Sequence, residues 1–183
     1  MTIEEQFLQL ISSKPNSREI QFIAEELEKR SNFTLDNELI KLRGVWELRW
    51  SSSKAPFLRY SPFFDNLQIL DPMNYCGMNL LRPSGINSLV GTAILVNLNV
   101  ISKKRIGVNF THTGLLGPKI LNRKRNALIK IKKIQKGWLD ITYLDDDIRI
   151  CRGDKGTLFV LRKIYNKKLF KSFSSFFREY KKN

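Results

Sequence analysis

Apolar and polar residues alternate along much of the chain from Arg43 onward, and this period of two constrains the fold more than any other feature. Side chains that point to opposite faces at successive positions are typical of a β-strand with one buried face. In the long apolar run Leu89–Ile101, Val96 and Leu98 belong to the same alternating set. We therefore predict that the main body of the chain is a β-sheet.

Turn-forming residues divide this part of the chain into eight or nine strand segments. The region 114–122 is predicted to be irregular because it contains Gly117-Pro118. The predicted strands cover 43–51, 63–70, 73–81, 89–101, 105–113, 127–134, 137–144, 148–152 and 157–163. Closing such a series into an antiparallel barrel removes the exposed edges. The prediction is a mainly β fold, a barrel of about eight strands that is either hollow or filled by its own side chains.

Helical periodicity appears on both sides of the strands. Two amphipathic helices are predicted over 3–12 and 18–31, within an N-terminal segment 1–42 that covers a face or an end of the barrel. We assign residues 1–163, including this segment, to one domain. Residues 164–183 are assigned to a basic amphipathic helical tail.

The tail places aromatic rings opposite lysines. Phe170, Phe173 and Phe177 lie on one helical face, and Lys167 and Lys171 lie on the other. Such a helix suits the surface of an anionic membrane, with its rings among acyl chains and its cations on head groups. The alternative is that the same face packs on the barrel or on a partner chain.

Positive charge is concentrated in particular segments. The formal net charge is +15, and the stretch from Pro72 to Leu139 contains twelve Lys and Arg residues but no Asp or Glu. A protein of this charge favours an anionic partner. Anionic membrane and nucleic acid both qualify, and charge alone does not distinguish them.

Residues suited to catalysis are scarce. His112 is the only histidine, and Cys76 and Cys151 are isolated from each other. A catalytic triad or a zinc site would have little to build on. We predict a protein with no catalytic residues, no metal and no cofactor. No apolar run is long enough to span a bilayer and the N-terminus resembles no targeting peptide, so we expect a cytoplasmic protein.

Gly44-Val45-Trp46 opens the first long strand. This Gly-x-Trp sequence resembles the first-strand signature of the lipocalins and the wider calycin group. The resemblance implies that Trp46 plugs one end of the barrel and that an arginine, Arg149 or Arg162, packs across it.

The most specific motif is the segment from Gly137 to Leu161, GWLDITYLDDDIRICRGDKGTLFVL, which predicts two successive hairpins. It resembles the C-terminal signature of the plastid lipid-associated protein family, the fibrillins or plastoglobulins, which carry a similar TYLD-x-D-x-RI-x-RGDKG-x-LFVL run. The segment from Leu42 to Ser52 resembles the start of the same family. The resemblance covers about residues 3–163.

This resemblance implies a lipocalin-like barrel that is associated with thylakoids or lipid globules and is linked to isoprenoid lipids, such as prenylquinones or carotenoids, and to photoprotection. Because no transit peptide is recognised and the chain is rich in Lys and Asn, we expect a cyanobacterial member that lies peripherally on the thylakoid. Candidate residues for the cavity are Trp46, Leu48, Trp50, Phe110, Leu139, Ile141, Tyr143 and Phe159. Candidate ion pairs across the turns, or contacts to lipid head groups, are Asp147, Arg149, Arg152, Asp154 and Lys155.

Three other functions remain as alternatives. Bilin lyases that act on phycobiliproteins also use lipocalin-like barrels. A scaffold for a protein partner, such as an isoprenoid biosynthetic enzyme, fits the same fold. Nucleic-acid binding fits the charge, but no recognition motif supports it and no nucleic acid is expected as a partner.

Overall fold

Eight strands form the body of the protein in the computed structural model, which describes residues 1–55, 58–120 and 123–180. Side chains are described there except at 119–120, 123–125 and 133–135, and the last residues of the predicted tail, 181–183, lie outside the described part. The strands are β1 (Gly44–Ser51), β2 (Phe64–Asp71), β3 (Cys76–Pro83), β4 (Gly91–Val100), β5 (Arg105–Ile120), β6 (Arg123–Leu144), β7 (Ile148–Gly153) and β8 (Leu158–Ile164). The helices are α1 (Ile3–Ser13), α2 (Glu19–Arg30), α3 (Leu35–Glu38) and α4 (Lys167–Tyr180).

The strands close into a barrel in chain order. Each strand pairs antiparallel with the next, and β1 pairs antiparallel with β8, where Leu48 lies opposite Leu161. Every strand therefore has two neighbours, although β6 pairs with β7 only from Leu139 to Leu144 and the earlier part of β6 pairs with β5 alone. The predicted mainly β barrel, with two N-terminal helices and a C-terminal helix, is confirmed.

One end of the barrel is closed by the segment that precedes β1. Trp46 is fully buried, and its Nε1 donates a hydrogen bond to the Leu42 carbonyl at 2.8 Å. Leu42 ends a 3-10 helix, Leu39–Leu42, which follows α3. Phe33 and Leu35 pack into the same core cluster as Trp46. The 3-10 helix and α3 in this short capping segment were not predicted from the sequence.

Helices α1 and α2 cover the outer face of β7 and β8. Their apolar residues pack against Ile148, Ile150, Leu158 and Val160. The helical residues in this cluster are Phe7, Ile11, Ile20, Ala24 and Leu27. The predicted covering of one barrel face by the helical pair therefore corresponds to a continuous buried layer outside the sheet.

Each end of α1 is held by a specific polar contact. At its start, Thr2 and Glu5 form a capping box, in which each side chain accepts a hydrogen bond from the other residue's backbone N–H. At its end, Arg49 of β1 donates from Nε to the Ile11 carbonyl and from Nη2 to the Ser12 carbonyl, both at 2.9 Å. These bonds satisfy carbonyl groups that the end of a helix leaves unpaired.

Helix α4 packs on the outside of β2, β3 and β4. Phe173 is completely buried and Phe177 nearly so, in a cluster that contains Ile69 and Met78. This corrects the prediction that Phe173 and Phe177 face a membrane: the outer face of the sheet beneath them is apolar, and the rings bury it. Phe170 is half-buried, whereas Lys167 and Lys171 are exposed. None of the described helices has the length and apolarity needed to span a bilayer.

Strands β5 and β6 are longer than predicted. β5 continues through the supposedly irregular segment to Ile120, and β6 joins the two strands predicted at 127–134 and 137–144. Shifts in register fall between Phe110 and His112 and between Leu116 and Lys119. Such irregularities accommodate extra residues without ending the ladder, which is why Gly117-Pro118 does not end β5.

The start of β3 also differs from the prediction. Pro72–Asn74 form a 3-10 helix, so β3 begins at Cys76 rather than at Met73. Proline fixes φ near the helical value and lacks the N–H that a strand would use, which favours this short helix over a continued strand.

Candidate functional site

A cavity of about 510 Å³ lies inside the barrel. Leu42 lines it at the capped end, and exposed Leu58, Lys136 and Asp154 mark its mouth. Its wall is mostly apolar and is drawn from several strands; these residues include Leu70, Val96, Leu98, Ile106, Val108, Phe110, Leu139, Ile141 and Phe159. An apolar cavity of this size with a few polar groups is typical of a small-molecule site.

The structure places four of the eight predicted cavity residues in the wall. They are Phe110 of β5, Leu139 and Ile141 of β6, and Phe159 of β8. Trp46 and Leu48 also point inward, but they belong to the packed core that closes the barrel rather than to the cavity wall. Trp46 therefore supports the floor of the site.

Trp50 and Tyr143 lie on the outside of the barrel, so their prediction as cavity residues is wrong. Both pack beside α1 and α2. The register shifts between Leu48 and Trp50 in β1, and again between Ile141 and Tyr143 in β6. Each irregularity adds a residue to one strand and reverses the inward and outward alternation beyond it.

Three polar side chains break the apolar wall: Gln68 of β2, Asn79 of β3 and Arg149 of β7. Gln68 and Asn79 were not among the residues predicted to line the cavity. The residues flanking Gln68, Leu67 and Ile69, are buried on the outer face by α4. Alternation in β2 alone would therefore place Leu67 and Ile69 inside and Gln68 outside, which is the reverse of what the structure shows.

Arg149 is completely buried in the barrel. Its guanidinium carbon lies 5.0 Å from the centre of the Trp46 ring, and Nη2 donates to Oε1 of Gln68. Nε and Nη1 have no hydrogen-bond partner. Burial lowers the pKa of Arg149 to about 10, so the side chain stays protonated at neutral pH.

Of the two arginines that could pack on Trp46, the structure selects Arg149. Arg162 points to the outside, where it donates to Ser12 at 3.0 Å and to Glu47 at 2.9 Å. The second cation near the Trp46 ring is Lys163, whose Nζ lies 5.0 Å from the ring centre and donates to the Lys41 carbonyl at 2.9 Å.

The remaining motif residues lie at the barrel surface. Arg152 forms a two-point ion pair with Glu28 of α2, with bonds of 2.9 Å and 2.6 Å, rather than with an acid of the neighbouring turns. Asp147 accepts a hydrogen bond from the Tyr165 hydroxyl at 2.9 Å. Asp154 and Lys155 are exposed, and Asp154 stands at the cavity mouth.

The reactive residue types are dispersed. Cys76 and Cys151 are both buried, and burial raises the pKa of the Cys151 thiol to about 11. His112 packs edge-on to Tyr180 of α4, with ring centres 4.9 Å apart. Among the described residues, no group of three or more His, Cys, Asp or Glu side chains could hold a metal ion.

A comparison with protein-family models matches residues 2–162 to the family described as PAP_fibrillin. The match covers the N-terminal helices and seven complete strands, and ends within β8. No curated protein and no solved structure gave a significant match.

Proposed function

Because this chain belongs to the PAP_fibrillin family, we propose that it binds an apolar isoprenoid-type lipid, a prenylquinone or a carotenoid, in its barrel cavity at the thylakoid surface. Membership of the family supports a lipid-associated structural or binding role in general. The ligand class, the thylakoid location and the absence of catalysis are our proposals.

The observation that carries the proposal is the apolar cavity beneath an exposed mouth. Its volume of about 510 Å³ lies within the usual range of roughly 300–1,000 Å³ for ligand sites. A quinone ring and the first part of a prenyl chain fit such a space, and the rest of the chain would leave through the mouth. Burying this chain in apolar surroundings is favoured by about 25 cal/mol for each Å² removed from water.

The proposed membrane surface relies on charge rather than on the rings of α4. Those rings are largely buried, but Lys167 and Lys171 remain exposed. The long β5–β6 hairpin adds exposed Leu115 and Ile129, which are 59% and 69% accessible. Cations together with a few apolar side chains are the combination that holds a peripheral protein on anionic lipid.

Gly137 offers a direct test because it lines the cavity and carries no side chain. A Cβ atom at this position would lie 3.7 Å from Phe110, an ordinary contact distance, so the substitution is tolerated locally. We expect Gly137→Phe to fill the cavity and to weaken binding of a short-tailed prenylquinone at least about tenfold, which corresponds to about 1.4 kcal/mol. Binding is followed by quenching of tryptophan fluorescence, since Trp138 lines the cavity.

The matched control is Ile129→Phe, which adds a ring to an exposed position on the same strand. It should bind the quinone as the unmodified protein does. Carotenoid binding is measured in parallel by absorbance. If the unmodified protein binds neither lipid, or if Gly137→Phe binds both normally while remaining folded, the proposal that the cavity is the binding site is wrong.

A further inference from the structure

Arg149 differs from the other buried arginines among the described residues. Arg49 is 7% exposed and bonds to two carbonyls of α1 and to Glu47. Arg82 is 6% exposed and bonds to Asp65 and to the Ser88 carbonyl. Arg149 is 0% exposed, yet two of its nitrogens bond to nothing and no described carboxylate pairs with it.

A buried cation without a counter-charge is unfavourable. Removing a guanidinium from water is strongly opposed unless hydrogen bonds and an opposite charge replace the water. The Trp46 ring and the Gln68 amide supply part of this replacement but no negative charge. We expect a guanidinium held in this way to bind an anionic group of a ligand, which would supply the missing negative charge.

The position of Arg149 limits where such a group would sit. Arg149, Gln68 and Asn79 all line the same cavity, and the rest of its inner wall is mainly apolar. Gln68 and Asn79 are opposite each other in the register of β2 and β3, so the two amides lie side by side. The arginine and the two amides therefore form a polar patch near Trp46, with apolar wall toward the mouth.

We propose that the cavity selects an amphipathic acid, whose carboxylate bonds to Arg149 deep in the barrel while its apolar chain extends toward the mouth. This inference rests on the proposed function, because it requires that the cavity binds a lipid. It goes beyond that function in naming a second class of ligand, since prenylquinones and carotenoids carry no charge, and in giving the direction in which the acid enters. Hydrogen bonds between a guanidinium and a carboxylate are stronger than those between neutral groups.

The test compares two ligands that differ only in the head group. Palmitic acid and hexadecanol are titrated below their aggregation limits against a neutral fluorescent lipid bound in the cavity, at neutral pH. We expect the acid to displace the probe about 10 to 100 times more effectively, which is the range for hydrogen bonds to charged groups. Arg149→Met should remove this preference while the alcohol still binds.

Two controls separate the buried arginine from the general positive charge of the protein. Arg162→Met removes an arginine from the neighbouring strand that points outward, and it should leave the preference intact. The titration is repeated at roughly 0.5 M salt, where attraction between exposed charges is screened but a buried contact is much less affected. Arg149→Lys keeps a charge on a shorter side chain and should retain only part of the preference.

The stability of the unliganded variant provides a second readout. A purely structural arginine would cost stability when replaced, whereas removal of an uncompensated buried charge should leave the midpoint of thermal unfolding of Arg149→Met equal or higher. Equal binding of acid and alcohol by the unmodified protein would overturn this inference and leave the proposed function standing. Displacement of the probe by neither ligand would also overturn this inference, whereas a neutral probe that does not bind in the cavity at all would overturn the proposed function itself.

Discussion

Gly114 occupies a position in β5 that no other residue can take without strain. Its φ is +154°, and an added Cβ would lie 2.0 Å from the Ala127 carbonyl oxygen on β6. Because the obstructing atom belongs to the backbone of the paired strand, the strands must separate to admit a methyl group.

We expect Gly114→Ala to lower the free energy of unfolding by about 3 kcal/mol or more, measured by urea denaturation. Gly156→Ala is the control, since Gly156 has φ +72° but open space around it and should cost only about 1 kcal/mol. Similar losses in the two variants would mean that the close approach to Ala127 is relieved easily.

His112 couples stability to pH because burial and the nearby charge of Lys130 both lower its pKa below 6.5. The unfolded chain therefore takes up the proton first as pH falls. Stability is complete above about pH 6.5 and decreases as pH falls through the folded-state pKa.

Unfolding measured between about pH 5 and pH 7 should show this decrease, and His112→Gln should remove it. Because His112 packs on Tyr180, the loss should include loosening of α4. If the stability of His112→Gln decreases with falling pH as steeply as that of the unmodified protein, the pH dependence comes from the acidic residues instead.

Helix α4 is held as part of the folded domain by its aromatic face. We expect Phe173→Ala to cost about 3–5 kcal/mol of unfolding free energy, since a fully buried ring is replaced by a void. Phe22→Ala removes a ring that is 71% exposed and should change stability by no more than about 0.5 kcal/mol. A small effect of Phe173→Ala would show that α4 contributes little to the stability of the barrel.

Most helices and strands could be predicted from the sequence, but which residues of each strand point into the barrel could not. Alternating apolar residues correctly predicted the strand that contains Val96 and Leu98, and both side chains lie in the cavity wall. The same patterning failed at Trp50 and Tyr143 because an irregularity in register is a property of two paired strands. One strand's residues do not encode where its partner gains or loses a position.

The candidate site shows the same limit. Phe110 and Leu139 follow from alternation and a barrel, but the inward position of Gln68 does not. The aromatic face of α4 was equally ambiguous, since a ring-rich helix suits a lipid surface or an apolar sheet. The outer face of β2–β4 decided this, and its apolar character becomes evident only when the strands are assembled.

At the scale of the whole molecule, the net charge of +15 predicts reversible attachment to anionic lipid. Binding to vesicles that contain phosphatidylglycerol should weaken as salt increases. In the double variant Lys167→Gln with Lys171→Gln, the affinity for these vesicles, measured by co-sedimentation, should fall by about 1 kcal/mol for each lysine. This corresponds to about fivefold for each lysine.

The control for this prediction replaces a lysine on α2, a helix that carries four glutamates. Lys29→Gln alters an exposed residue of α2 that is paired with Glu26, and it should leave vesicle binding unchanged. Equal losses in the lysine variants of α2 and α4 would mean that no particular surface faces the lipid.

The covering of each outer face by helices from the opposite end of the chain has a consequence for synthesis. Helices α1 and α2 are made first but pack on β7 and β8, while β2–β4 wait for α4. A nascent chain on the ribosome therefore carries two uncovered apolar surfaces until residues near 180 have emerged. We therefore expect the two surfaces to be covered only after α4 has been made, and an intermediate that exposes them is prone to aggregation.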